Sequence, residues 1–365
     1  RSAERSARRS RRVRRGRRRR APLGSQGARM RHWLSMLDYT PETLAGLVGL
    51  ARRIKAGEAR DRTAAIREKI LVQVFFNPSL RTRTSFEAAM LRFGGHAICL
   101  NVGGDTWKLE HRDGVRMDGD AAEHVKEAVP VLARYGDALA VRTFAALRSA
   151  EEDAREAVLR AFGRYSSVPV INMESAVEHP CQGLADWMTC EEKLAGGARG
   201  KHFVVTWAPQ VKGLPMAVPH SAVLAAAAAG MNVTIAHPPG YELGGAFLDK
   251  ARQWSAAAGA SLSVTHEQFE ACRRADALYV KSWGASGLYG DARAQADSFR
   301  QHAGWTVDVG HLGPRTILMH CLPVRRNVVI GDAALDDPRS VVVDQAENRM
   351  WAQAAILCDL FAGKR

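Results

Sequence analysis

Residues 75–87 read Phe75-Phe76-Asn77-Pro78-Ser79-Leu80-Arg81-Thr82-Arg83-Thr84-Ser85-Phe86-Glu87, and this stretch decides how the remaining chain is understood. An apolar run (Ile70, Leu71, Val72, Val74, Phe75, Phe76) stops at Asn77-Pro78. Hydroxyls and guanidiniums then crowd one turn before a helix-like segment over 86–93. A strand that ends in a turn and opens a helix leaves the helix's first N–H groups unpaired and pointing outward. The helix dipole adds partial positive charge at the same spot, which suits an anion. Arg81 and Arg83 carry the two-pronged guanidiniums that grip phosphate oxygens, and the hydroxyls add short hydrogen bonds. The plainer reading is a capped helix with two solvated arginines. Six polar phosphate partners within seven residues, directly after a buried strand, favour a phosphate cradle. The segment is neither a Gly-x-x-x-x-Gly-Lys loop nor a Gly-x-Gly-x-x-Gly turn.

Outward from this turn, helix-like and strand-like segments alternate, which predicts an α/β fold with two doubly wound, largely parallel sheets. Strands are expected at 70–76, 96–102, 138–141 and 169–173, and again at 202–207, 232–236, 261–265, 277–280 and 317–319. Helices are expected at 41–55 (capped by Thr40), 85–93, 121–135, 184–194, 216–229, 246–259, 267–274 and 348–361. The length of 365 residues suits two domains, 30–180 and 181–344, with a closing helix within 345–365 packing back on the first. In open α/β sheets, ligands bind outside the carboxyl ends of the strands. Arg142, Glu174, Lys281 and His320-Cys321 all fall at such ends, so a shared site is expected there.

Hydrophobic content of 46% supplies an ordinary core, and no apolar run is long enough to span a bilayer, so no membrane partner is expected. Six cysteines without a Cys-x-x-Cys pair point to free thiols in a reducing cytoplasm rather than to disulfides or a metal site. The net charge of +14 misleads: residues 1–29 hold thirteen Arg and one Glu, leaving only +2 for the remainder. That Arg-rich tail is too poor in apolar residues to bury anything and is expected to be disordered. It has no hydrophobic segment of a secretory signal, and Met30 reads as the start of the folded part. Any attraction of nucleic acid to it would be salt-sensitive and non-specific, so no specific nucleic-acid partner is expected.

The string Phe-x-x-Pro-Ser-x-Arg-Thr-Arg-x-Ser-Phe-Glu resembles the carbamoyl-phosphate loop of the carbamoyltransferases. Two further strings match that family in chain order: His-Pro-Cys-Gln at 179–182 and His-Cys-Leu-Pro at 320–323. Singly, a His before Pro is usually an ordinary loop residue and an Arg at a strand end a surface charge. Together the resemblance extends over 30–361. It implies carbamoyl phosphate held by Ser79, Leu80, Arg81, Thr82, Arg142, His179, Pro180, Cys181, Gln182, Cys321, Leu322 and Arg349. Trp107 would come from the neighbouring subunit of a homotrimer. Among these, Arg142, His179, Gln182 and Cys321 would be catalytic, with Cys321 positioning rather than attacking. The resemblance implies no metal and no cofactor.

The loop Lys281-Ser282-Trp283-Gly284-Ala285 replaces the Ser-Met-Gly loop that holds a free α-amino acid in ornithine carbamoyltransferases. A lysine suits a carboxylate and repels a free α-ammonium, which makes sense if the substrate's α-amine is acylated. With Asn172-Met173-Glu174-Ser175 and Met117-Asp118-Gly119-Asp120, this loop resembles the N-acetylornithine branch. That branch implies contacts of Glu174, Lys281 and Leu322 with N-acetylornithine, and a role in arginine biosynthesis. Two departures stand out. Val329 occupies a position where acetyl-type members often carry a modifiable lysine. Ala122 stands where they carry Glu and succinyl-type relatives carry Pro, which leaves the acyl preference open.

Overall fold

The computed structural model describes residues 31–363; the expected disordered tail lies outside the described residues. The described residues form one compact unit containing two parallel sheets. The first consists of β1 (Ile70–Phe75), β2 (His96–Asn101), β5 (Ala138–Arg142) and β6 (Val170–Glu174), in the order β2-β1-β5-β6. The second consists of β7 (His202–Trp207), β8 (Asn232–Ala236), β9 (Leu262–Thr265), β10 (Ala277–Lys281) and β11 (Ile317–Met319), in the order β11-β10-β7-β8-β9. A small ribbon pairs β3 (Lys108–Glu110) with β4 (Ala121–His124).

The inner strands of each sheet are buried on both faces, as those of parallel sheets are. The two-residue period of β1 sends Leu71 and Phe75 toward the helices Pro41–Lys55, Arg81–Arg92 and Val342–Ala362. Val72 and Val74 face the opposite layer, with the helices Val125–Tyr135 and Ala157–Tyr165. The second sheet is likewise clad: Phe203 and Val205 on one side, Val204, Leu278 and Val280 on the other.

The strand orders place the ligand site. In the first sheet the chain winds from β1 out to β2, and later from β5 out the other way to β6. The winding therefore reverses between β1 and β5, which are neighbours paired from Leu71↔Ala138 to Phe75↔Arg142. In the second sheet the reversal falls between β7 and β10, paired through Lys281↔Trp207. Crevices at such reversals are where open α/β sheets bind ligands.

Four expectations about elements need correction. The helix after β1 begins at Arg81, not Ser85, so Arg81 and Thr82 belong to its first turn. Residues 121–124 are strand, paired with β3, and the helix starts at Val125. The 184–194 helix opens earlier, at Pro180. The closing helix runs Val342–Ala362, so it starts before 345, and Arg349 lies in its second turn rather than at its beginning. It packs on the Pro41–Lys55, Arg81–Arg92 and Pro180–Lys193 helices.

Loop 175–179, which carries the chain from β6 into the Pro180–Lys193 helix, is fixed from two sides. His220 Nδ1 donates to the Val177 carbonyl at 2.9 Å while its Nε2 accepts from Gly244 N–H at 2.9 Å. Glu178 Oε1 accepts from Met36 N–H at 2.7 Å, and its Oε2 is bonded by the Ser35 hydroxyl. Burial raises the Glu178 carboxyl to about 8. An acid raised in the folded state stabilises the fold below its unfolded value of about 4.5 and loses that contribution as pH climbs through the folded value. Across that window the loss is on the order of 3–5 kcal/mol. Glu178→Gln copies the protonated acid at every pH, so it is expected to melt roughly 5 °C or more above the parent at pH 8 and level with it at pH 5. Parallel melting curves across the range would refute this.

Candidate active site

Both winding reversals open onto one cleft of about 620 Å³. From the first sheet come Ser79, Leu80, Arg81 and Thr82 after β1, Arg142 at the end of β5, Glu174 at the end of β6, and His179 and Gln182 beyond it. From the second come Lys281 at the end of β10 and Cys321 and Leu322 after β11. Arg349 reaches in from the closing helix.

Thr82 organises the cationic wall. Its Oγ1 accepts from Arg349 Nη2 at 2.6 Å and from Arg142 Nη1 at 3.3 Å. The two guanidiniums come from elements far apart in sequence, and a single hydroxyl in the first turn of a helix holds them together. Ser79 Oγ accepts from Thr82 N–H at 3.2 Å, so it caps that first turn. Arg142 Nη1 also donates to Glu174 Oε2 at 2.6 Å, and His179 Nε2 stands 3.6 Å from the same oxygen.

Charge in the cleft is lopsided. Arg81, Arg142, Lys281 and Arg349 face a single carboxylate, Glu174, and Lys212 and Arg325 add to the rim. Burial, then the charges of Arg349, Arg142, Arg81 and Lys281, hold His179 well below its ordinary value, so its imidazole is neutral near pH 7. Burial also lowers Arg349. The Cys321 thiol is raised by burial, which keeps it protonated and a poor nucleophile.

Buried polar groups are nearly always hydrogen-bonded, so exceptions point to a missing partner. Among the described residues eighteen buried side-chain atoms lack one, and six belong to this cleft. They are Arg81 Nε, Arg142 Nε, both ring nitrogens of His179, Gln182 Oε1 and Arg349 Nε. The first sheet's wall thus presents three unpartnered guanidinium Nε donors, both nitrogens of one imidazole and one unpartnered amide oxygen.

Three expected residues lie elsewhere. Cys181 is buried behind the cleft, its Sγ bonded to the Asn172 carbonyl at 3.5 Å and its thiol pushed up to about 12 by burial. Pro180 fills the first turn of its helix, where a missing N–H costs nothing. Trp107 is 60% exposed, outside the cleft of its own chain, with Nε1 donating to Glu123 at 2.8 Å. Within the Lys-Ser-Trp-Gly loop, only Lys281 faces the cleft. Trp283 turns into the core, where its Nε1 donates to the Tyr241 carbonyl at 2.9 Å. Val329 is buried in the second sheet's outer layer and does not line the cleft.

Sequence reasoning missed several lining residues. Phe144 lies 4.5 Å beneath the Arg142 guanidinium. Gln210 and Lys212 sit on the loop after β7, at the second winding reversal, which is the signal that could have found them. Arg325 stands two residues after the His-Cys-Leu-Pro string.

Comparison with known proteins gives the same picture. Residues 31–192 match the family model for the aspartate/ornithine carbamoyltransferase carbamoyl-P binding domain, and 216–360 match that for the Asp/Orn binding domain. An N-acetylornithine carbamoyltransferase of Xanthomonas campestris pv. campestris is 38% identical over 340 residues, covering 92% of this chain and 99% of that protein. An N-succinylornithine carbamoyltransferase of Bacteroides thetaiotaomicron is 39% identical over 299 residues, covering 81% and 89%. The crystal structure of an acetylornithine transcarbamylase complexed with acetylcitrulline superposes with a TM-score of 0.85 at 39% identity, covering 90% of this chain and 99% of the other.

Proposed function

The chain belongs to the aspartate/ornithine carbamoyltransferase family, and from that membership we propose that it carbamoylates the δ-amine of N-acetylornithine, using carbamoyl phosphate. The observation that carries the donor half is the set of unpartnered groups on one cationic wall. Phosphate takes the amides at 80 and 81 with the Arg81, Arg142 and Arg349 guanidiniums. Once it binds, Arg142 exchanges Glu174 for a ligand oxygen. Neutral His179 donates an N–H to the carbamoyl oxygen, and Gln182 Oε1 accepts from the carbamoyl NH₂. The backbone carbonyls of Cys321 and Leu322, in a turn where Leu322 holds a left-handed φ of 56°, accept from the carbamoyl nitrogen and the incoming amine.

The neutral δ-nitrogen attacks the carbonyl carbon and a C–N bond forms. His179 and Arg142 stabilise the oxyanion, the C–O bond to phosphate breaks, and the leaving phosphate takes the amine's proton. Lys281 receives the acceptor's α-carboxylate, and Glu174, released from Arg142, faces its acyl amide.

Lys281 is also the observation that separates the acceptors, because its charge opposes a free α-ammonium. A panel of acetylornithine, succinylornithine and ornithine is expected to rank ornithine last by about 100-fold in kcat/KM. Ornithine as the best acceptor would overturn the assignment. Succinylornithine is the second reading, favoured by one observation: exposed Ala122 offers no carboxylate to repel a second negative charge.

We further propose a homotrimer in the cytoplasm; no described helix is long and apolar enough to cross a membrane. Leu91 and Ile98 are exposed around the β2 edge of the first sheet. Trp107 and Ala122 lie together on the β3–β4 ribbon, tied by the Trp107–Glu123 bond, so one element would deliver both to a neighbouring cleft.

A further inference from the structure

Gln182 meets the cleft with its carbonyl oxygen. Its Nε2 donates to Asp186 Oδ1 at 2.7 Å, one helical turn along, while its Oε1 is buried without a partner. The same Asp186 oxygen accepts from Gln345 Nε2 at 2.6 Å. Gln345 Oε1 in turn accepts from the His320 backbone N–H at 2.8 Å, and His320 Nδ1 accepts from the Leu322 N–H at 2.8 Å. One carboxylate oxygen therefore joins two walls of the cleft: the Gln182 amide and the 320–323 turn. Asp186 itself is 1% exposed and does not line the cleft. The Tyr279 hydroxyl lies beside both this carboxylate and the Cys321 thiol.

The two ends of a glutamine amide are similar in size, so its neighbours decide which end faces a ligand. Asp186 Oδ1 accepts from both amides, and does so whether or not a proton sits on Oδ2, so it takes the NH₂ end of Gln182 and leaves the oxygen for the cleft. A carbamoyl NH₂ needs an acceptor there; a reversed Gln182 would set NH₂ against NH₂. We propose that Asp186 is the positioning residue that fixes Gln182 as an acceptor and, through Gln345, ties it to the 320–323 turn. This rests on carbamoyl phosphate binding in the cleft as read above. Burial raises the Asp186 carboxyl to about 7, with the bonds from Gln182 and Gln345 pulling it back.

A buried aspartate that merely joined the Pro180–Lys193 and Val342–Ala362 helices would show the same distances, so the test must separate the two roles. Asp186→Leu keeps the volume and removes the acceptor. It is expected to lower kcat/KM for carbamoyl phosphate about 100-fold. Asp186→Asn keeps an oxygen at the shared position and is expected to stay within about 5-fold of the parent. In a Gln182→Ala background, Asp186→Leu is expected to cost less than about 3-fold more, because a residue that acts through another loses its effect with it. The same 100-fold loss in both backgrounds, or no loss in either, would overturn the proposal. Should Asp186→Leu not fold, Asp186→Ala, which leaves room for water beside the freed amides, carries the same comparison. Gln182→Ala with undiminished turnover would instead remove the placement of the carbamoyl group, and this inference with it.

Discussion

An Arg142→Met enzyme is expected to fold and to turn over about 10⁴-fold more slowly than the parent at saturating substrates. Methionine keeps most of the stem and removes the charge that lies over Phe144. The guanidinium is buried, anchored to Thr82 Oγ1 and Glu174, and stands where a phosphate oxygen and a developing oxyanion would meet. A fixed charge in a dry site needs no rearrangement as the transition state forms, which is why its loss falls on kcat rather than on binding alone. A second readout follows from the same geometry. Arg142 is one of the cations holding His179 down, so in the variant the His179 imidazole is expected to titrate at a higher pH. A kcat within tenfold of the parent, measured alongside an unchanged His179 titration, would show that Arg142 is structural.

Arg81→Ala is expected to lower kcat/KM for carbamoyl phosphate about 10³-fold while moving the melting temperature by less than about 2 °C. Arg81 opens the Arg81–Arg92 helix, is only partly buried, and makes no ion pair among the described residues. Its Nε lacks a partner, so the fold gains little from it and a ligand has much to gain. Near-normal kinetics in this variant would contradict the cradle, and a collapsed melting temperature would assign Arg81 to the fold.

The strand ends were legible because burial on both faces leaves continuous apolar runs, and polar residues at their ends stand out. Arg142, Glu174 and Lys281 were found that way, and all three reach the cleft. Helix starts were less legible. The helix expected from Ser85 starts at Arg81, where Ser79 Oγ accepts from the Thr82 N–H and the helix packs on the closing helix. Residues 121–124 have helix-forming composition, but pairing with β3 overrides it. The closing helix starts at Val342, ahead of the expected 348, with Val342 buried and Val343 exposed, so Arg349 falls in its second turn rather than at its start. Asp186 and Gln345 left no trace in the sequence because a charged or amide residue on a helix ordinarily faces water. Gln345 reaches back to Asp186 on another helix and to the His320 N–H, and only the fold brings these groups together.

A crystal structure with a bisubstrate analogue, a phosphonate joined to an acylated ornithine, tests the phosphate cradle most directly. The phosphonate is expected within hydrogen-bonding distance of the amides at 80 and 81, Arg142 and Arg349, with Trp107 of a neighbouring copy closing over it. A phosphonate seated anywhere else would contradict the assignment.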